Sequence, residues 1–381
     1  MAAVAIRGPI LEVDEYVDPK NIERDSLKII SRVRPLWKGD KVRFEPCAGA
    51  GFMNTMLICH HGNEMIDALI IRVFGEGMDY MMNKTQELTV TKLFHEIGVS
   101  PIIHCIFKNG VCMEFVQGTT YAWANLSGLA DIKVVKAVAR ELAKVHSRQT
   151  AKLALSKYGY GFNKEEAESV RKIKEFIDNW PTAIGEPDAD KLFRTNFPSL
   201  EQLKEETAII LDVMERMHKT LLICHSDLNP TNVIYIPEQD RAVFVDYDFS
   251  GFNWRIMDLA TFIEFSAIGL TPDVEGTKRF SDDFIKEFLR EYLNAKRSLG
   301  EIDHEVSDSD VDHLFKLTMK GILGVYLLYG MVFVCLAYGE RERHGLRKVD
   351  LIGVASTMVT WYFKNKDAIL ATDTETHAPW P

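Results

Sequence analysis

Several things are missing from this chain of 381 residues. Its six cysteines, Cys47, Cys59, Cys105, Cys112, Cys224 and Cys335, are scattered without CxxC spacing. No secretory apolar stretch precedes Val13-Asp14-Glu15, so reduced thiols and a cytoplasmic location are expected. Positive charge is also short: 45 Lys and Arg stand against 55 Asp and Glu, a net charge of −10, which argues against nucleic-acid binding through a general basic surface. There is no internal repeat and no low-complexity tract. With 46% hydrophobic and 26% charged residues, the composition is that of an ordinary compact globular chain, long enough for two lobes without a disulfide or metal staple. Gly321 to Gly339 is a run of nineteen residues without a charge, near the length that spans a bilayer. Its four glycines and three tyrosines, headed by Lys320, suit a buried helix equally well, and no stable membrane insertion is expected.

What is present changes texture along the chain. Ile22 to Val33 is loosely amphipathic and ends before Pro35, as a lead-in helix would. Three short apolar runs follow, Val42 to Phe44, Met56 to Cys59 and Ala68 to Val73, with glycine-bearing turns between them; three antiparallel strands are the economical reading. Between the first two lies Cys47-Ala48-Gly49-Ala50-Gly51-Phe52-Met53-Asn54, whose small residues would let backbone N–H groups approach phosphates. Arg72 sits inside the third run, where a cation is costly unless it is paired or binds an anion. A helix from about Asn83 to Ile97 could bring Glu87 to it. Two further strands, Ile102 to Phe107 and Val111 to Val116, flank a tight turn at Asn109-Gly110. Gln117-Gly118 then marks a hinge, where backbone groups of Glu114 and Val116 would be available to an adenine edge.

Beyond the hinge the pattern turns helical. Ile132 to His146 is strongly amphipathic, Lys152 to Leu200 reads as a helical insertion, and Glu201 to Lys219 as another helix. The stretch after Asp246 is expected to be helical, interrupted by an acidic loop from Glu301 to Asp312, with a disordered tail from residue 371. These readings divide the chain into an N-terminal β-rich lobe (1–116), a helical C-terminal lobe (117–370) and a tail (371–381).

The most informative segment is His225-Ser226-Asp227-Leu228-Asn229-Pro230-Thr231-Asn232, flanked by short β-forming runs, with Asp246 behind it in Val243-Phe244-Val245-Asp246-Tyr247. Such residues also populate plain turns. The full order, an acid, an amide five residues on and a second acid after the next strand, is the one protein kinases use. It makes Asp227 the candidate base and Asn232 with Asp246 the candidate Mg²⁺ ligands, because Mg²⁺ prefers hard oxygen donors. His225 is read as packing the loop, and His146 as a core or capping residue.

Together with Gly98-Val99-Ser100-Pro101, Asn109 to Gly118 and Asp246-Tyr247-Asp248-Phe249-Ser250-Gly251-Phe252-Asn253 leading to Asp258, these residues resemble the choline/ethanolamine kinase family, within the aminoglycoside-phosphotransferase group of kinase-like folds. The resemblance runs from about Phe44 to Ala337. It implies an α+β, bilobal protein-kinase-like fold, with a small antiparallel sheet and a large, mostly helical lobe. It implies ATP- and Mg²⁺-dependent phosphorylation of a small amino alcohol, ethanolamine before choline, at the head of phosphatidylethanolamine synthesis. By that resemblance Gly51, Asn54, Arg72 and Glu87 serve the ATP phosphates, and Glu114 and Val116 hold adenine. Asp248, Glu264, Tyr326 and Tyr329 belong to the substrate side, the tyrosines falling where the family places two tryptophans around the ammonium.

Departures from the family pattern bear on the substrate. Ser226 replaces the usual Asn, Asp248 a Glu, Ala50-Gly51 a glycine pair, and Glu264 lies one residue closer to Asp258, about 100° of helix rotation. Tyrosines are absent from Arg347 to Leu351. The missing tyrosines, with tyrosine in place of tryptophan as a weaker π-face, favour a primary ammonium, which donates hydrogen bonds, over a trimethylated one. Choline, an aminoglycoside or methylthioribose are the other acceptors, and an inactive kinase-like scaffold is the alternative outside enzymes. A homodimer through the C-terminal helices is compatible with the sequence.

Overall fold

The computed structural model describes residues 7–47, 54–62, 65, 67–75, 83–121, 131–159, 162–217, 220–268, 280–339 and 347–372. Among these, one lobe is built on a six-stranded sheet of β1 (Leu11–Glu12), β2 (Val42–Pro46), β3 (Thr55–His61), β4 (Leu69–Val73), β5 (Ile103–Phe107) and β6 (Gly110–Glu114), in the order β1-β5-β6-β4-β3-β2. All pairings are antiparallel except β1 with β5, a two-residue strand too short to leave a pattern in the sequence.

Strand periodicity decides what each face of this sheet meets. Leu69, Ile71 and Val73 of β4 join Leu57, Cys59, Cys105 and Cys112 in a core closed by Ile29 and Ile30 of α1 (Ile22–Val33). Ile70, of opposite parity, joins Ile103, Val111, Met113 and Leu88 on the other face. Arg72 shares that parity, so it points toward α2 (Lys84–Ile97), the helix that carries Glu87. The turn between β5 and β6 lies at Lys108-Asn109 rather than Asn109-Gly110. Gly110 is already in the strand, where a Cβ would stand 2.1 Å from the Arg72 carbonyl oxygen.

The chain leaves this sheet after Glu114, and its next strand, β7 (Thr119–Thr120), pairs with β9 (Val233–Ile236), which in turn pairs with β10 (Arg241–Phe244). The second lobe is otherwise helical: α3 (Ile132–Val145), α4 (Arg148–Tyr158), α5 (Glu168–Asp178), α6 (Pro187–Asn196), α7 (Leu200–Met217), α8 (Arg255–Ile268), α9 (Asp282–Ser298), α10 (Asp308–Gly339) and α11 (Lys348–Leu370). Two expectations fail here. The stretch after Asp246 is not purely helical, because β11 (Gly251–Asn253) pairs with β8 (Leu222–Cys224), the strand that leads into the loop from His225 to Asn232. The acidic loop ends early, since Ser307 and Asp310 cap each other reciprocally and start α10 at Asp308, where acids favour a helix N-terminus. Residues 373–381 of the expected tail lie outside the described residues.

The uncharged run belongs to α10. This helix is long and apolar enough to cross a membrane, yet 89% of its most apolar window is buried inside the fold. It packs against α8, α9 and α11, and Gly321 lets α8 approach, since a Cβ there would touch Ile256 at 3.0 Å.

Candidate active site

The loop between β8 and β9 is shaped from below by one buried carboxylate. Asp258, in the first turn of α8 and fully buried, accepts the His225 N–H at 2.7 Å and the Ser226 N–H at 2.6 Å, while His146 Nε2 lies 3.0 Å from it. Ser226 takes φ 63°, a left-handed conformation that a serine adopts at a cost. Asp258 and the Asn253 amide, which donates to Ser226 Oγ at 3.0 Å, hold it there. The loop's first carbonyl accepts from Ser250 Oγ at 2.8 Å, and the buried His225 ring lies 3.0 Å from the Val245 carbonyl. His225 and His146 thus pack and brace, as read from the sequence, and burial lowers the pKa of each. Cys224 also lies near His146 and Asp258, their donor atoms within 4.8 Å of one another. Burial keeps the Cys224 thiol protonated and Asp258 is spent on loop N–H groups, so this group is structural.

Asp227 is presented at the top of this scaffold. Its Oδ1 accepts from Tyr329 Oη at 2.5 Å and Asn229 Nδ2 at 3.1 Å, and its Oδ2 from Asn232 Nδ2 at 3.1 Å. Asn232 Nδ2 also donates to the Asp227 carbonyl at 2.8 Å. Burial pushes the Asp227 carboxyl up to about 6; the neighbouring Asp246 charge adds to this, and the hydrogen bond from Tyr329 opposes it.

A second cluster forms where β4 and α2 meet the segment after β10. Arg72 Nη2 lies 2.8 Å from Glu87 Oε1, 3.2 Å from Asp246 Oδ1 and 3.2 Å from Asp248 Oδ1. In the amide orientation that satisfies both groups, Asn54 Oδ1 accepts from Arg72 Nη2 at 2.6 Å and from Nε at 3.2 Å. Burial works against the Arg72 charge, but Glu87, Asp248 and Asp246 outweigh it and raise its pKa. Burial pushes Asp246 and Asp248 up to about 7 each despite Arg72, with the Asp248 charge adding to the rise at Asp246 and the Glu87 charge to that at Asp248. Asp246, at φ 67°, keeps 34% of its side chain open to the cleft. Asp248, expected on the amine side, lies instead with Arg72 and Glu87, its side chain only 8% exposed. Two residues beyond a left-handed Asp246, the backbone returns it toward α2. Gly51 lies outside the described residues.

The donor set suits a hard divalent cation. Asn232 spends its amide nitrogen on Asp227, which leaves Oδ1 as its acceptor, and Asp246 offers carboxylate oxygens. The surplus of acids around one arginine, visible in the raised Asp246 and Asp248, is what such an ion relieves.

The tyrosine pair of α10 uses its hydroxyls as much as its rings. Tyr326 Oη donates to Glu264 Oε1 of α8 at 2.5 Å, and its ring stacks on Trp361 of α11 with centroids 4.2 Å apart and planes 16° apart. Tyr329, one turn on, meets Phe265 edge-on at 4.7 Å while its hydroxyl reaches Asp227. Trp361 was invisible to sequence reasoning because only the packing of α11 on α10 brings it here. The one available signal was a tryptophan in an apolar helix. Asp258 was seen only as the end of a motif.

At the hinge, the Glu114 N–H is already spent on the Ile102 carbonyl at 2.9 Å, so only the Glu114 carbonyl can take part there. Among the described residues, Val116 makes no backbone hydrogen bond outside the sheets and helices and remains half-buried.

A strand-borne arginine paired to a helix acid, facing a loop acid, an amide and a second acid across a cleft between lobes, defines a protein-kinase-like fold. The Plasmodium vivax ethanolamine kinase superposes with a TM-score of 0.69 at 15% identity, covering 91% of this chain and 89% of that one. A Cryptosporidium parvum choline kinase does so with 0.64 at 17% identity, covering 91% and 96%. In sequence, human ethanolamine kinase 1 is 25% identical over 347 residues, 91% of this chain and 72% of that protein. Residues 46–363 match the family described as choline/ethanolamine kinase, and the chain belongs to that family.

Proposed function

We propose that this chain is an ethanolamine kinase that transfers the γ-phosphoryl group of Mg·ATP to the hydroxyl of ethanolamine. The product is phosphoethanolamine, and the step opens phosphatidylethanolamine synthesis by the CDP-ethanolamine route. The observation that carries the choice of acceptor is the pairing of two carboxylates with two hydroxyls of one helix, Tyr329 on Asp227 and Tyr326 on Glu264. Three residues of helix separate the tyrosines by about 4.5 Å along its axis, so both hydroxyls come from one turn of α10. The Tyr326 face is stacked on Trp361, so Glu264 rather than an aromatic box serves the cation. Carboxylate recognition rewards an ammonium that donates hydrogen bonds, and a trimethylammonium has none to donate.

In this reading Asp227 accepts and orients the alcohol, and Asn232 and Asp246 hold Mg²⁺. The ion, once bound, offsets charge on the transferring phosphoryl group. Arg72, held by Glu87, and Asn54 face the phosphates, together with Gly51, three residues earlier in the sequence. The Glu114 carbonyl and Val116 backbone take adenine, and Asp248 braces Arg72. Functionally the chain divides at residue 116 into a nucleotide lobe and an acceptor lobe.

An ADP-release assay with Mg·ATP tests this directly across ethanolamine, its mono- and dimethyl derivatives, choline and an aminoglycoside. kcat/KM is expected to fall with each added methyl group. A rise along the series would make the chain a choline kinase, and silence on every amine would overturn the acceptor class.

A further inference from the structure

The Tyr329 hydroxyl invites a role that a wall of the amine pocket does not need. An ionised carboxylate offers about four lone-pair positions, two on each oxygen. On Asp227, Tyr329 Oη at 2.5 Å and Asn229 Nδ2 at 3.1 Å use both positions of Oδ1, and Asn232 Nδ2 at 3.1 Å uses one of Oδ2. One position of Oδ2 remains. The tyrosine is itself fixed: its ring meets Phe265 edge-on at 4.7 Å, and it stands on α10, packed between α8 and α11. The donor therefore comes from a rigid helix and reaches a loop held by separate contacts.

We propose that Tyr329 is a positioning residue that saturates Oδ1 of Asp227 together with Asn229, so that Oδ2 alone takes the proton of the acceptor alcohol. The inference rests on Asp227 being the base of the proposed reaction. In that step the alcohol O–H bond breaks and its proton passes to Oδ2. The alcohol oxygen forms the new bond to the γ-phosphorus, and the bond from that phosphorus to the bridging oxygen breaks with its electron pair leaving on ADP. The proton held on Asp227 returns to solvent as product departs. Tyr329 exchanges no proton. It fixes the rotation of the carboxylate about its Cβ–Cγ bond, so that the remaining lone pair points where the alcohol arrives.

The test is steady-state kinetics of Tyr329→Phe beside Asp227→Ala and Tyr326→Phe, with ethanolamine and Mg·ATP varied in turn. Tyr329→Phe keeps the ring against Phe265, and its melting temperature reports folding. A hydrogen bond to a charged group supports an expected fall in kcat of about ten- to a hundredfold, with both KM values within about twofold of wild type. Tyr326→Phe should give the opposite split, a raised KM for ethanolamine with kcat nearly kept, because its hydroxyl serves Glu264. An unchanged kcat in Tyr329→Phe with a raised KM for ethanolamine would reduce the residue to pocket wall. An unchanged or higher kcat with a lowered KM would mean that the hydroxyl merely occupies the alcohol's place. Either result overturns the positioning role while Asp227→Ala remains inactive. Near-normal turnover in Asp227→Ala would overturn the base itself.

Discussion

Asp246 and Asp248 stand two residues apart, share one arginine, and are asked for different things. Asp246 keeps a third of its side chain exposed, as the proposed role of metal ligand requires, whereas Asp248 is enclosed with Glu87. Asp246→Ala is expected to lower kcat at least about a hundredfold with the fold intact, because it removes a group that acts in the transition state rather than a core contact. Near-normal turnover would remove Asp246 from the metal site. Asp248 has a consequence for stability. Its folded pKa is about 7, above the usual value of about 3.9 in an unfolded chain. Below about pH 4 the group is protonated in both states and costs nothing. As pH rises toward 7 the unfolded chain releases the proton first, so the folded state progressively loses stability, and the full penalty stands above 7. Asp248→Asn should therefore raise the melting temperature at pH 8 and leave it unchanged near pH 4; a lower melting temperature at pH 8 would show Arg72 pairing to dominate.

Among the elements, α8 does the most for the site with the least visibility in sequence. Through Asp258 it takes two consecutive N–H groups of the loop from His225 to Asn232 and keeps Ser226 in its left-handed conformation. Asp258→Asn places an amide NH₂ among these donors, and an expected loss of about 3 kcal/mol follows from two charge-assisted bonds weakened in a dry site. Urea unfolding measures it, and an unchanged midpoint would mean that the loop holds its own shape. The sequence made some elements plain and hid others for physical reasons. The loop from His225 to Asn232 and the Arg72 strand stood out because an acid, an amide or a cation in apolar surroundings is costly without a task. The α2 helix, expected from about Asn83 to Ile97, is bounded by Asn83, whose side chain accepts the Gln86 N–H, and by Gly98 at φ 80°. The β11 strand, three residues long, has no period to read, and Trp361 and Asp248 acquire their neighbours only through tertiary packing.

At the scale of the whole molecule, Arg72 is one of the side chains through which the sheet lobe grips the helical one, with Glu87 on its own side and Asp246 and Asp248 on the other, beside Gln86, which donates to Glu168 and the Ser250 carbonyl. Lysine is a point charge and cannot reproduce a planar fork reaching four partners. Arg72→Lys is expected to raise the KM for ATP about tenfold or more, and a KM within about twofold of wild type would show that a point charge suffices. The net charge of −10 makes this local cation count for more, because the rest of the surface does little to gather phosphate.

The 32-residue α10 carries both tyrosines within a single turn, each anchored to a different carboxylate. Because the helix is clamped along its length, a replacement at 326 alters what meets the cation and one at 329 alters what meets the alcohol. Neither disturbs the arginine cluster. Amine recognition and base positioning are thus separable traits on one helix, and a lineage carrying this scaffold can change which amine it accepts through codon 326 while codon 329 stays under selection with the transfer chemistry.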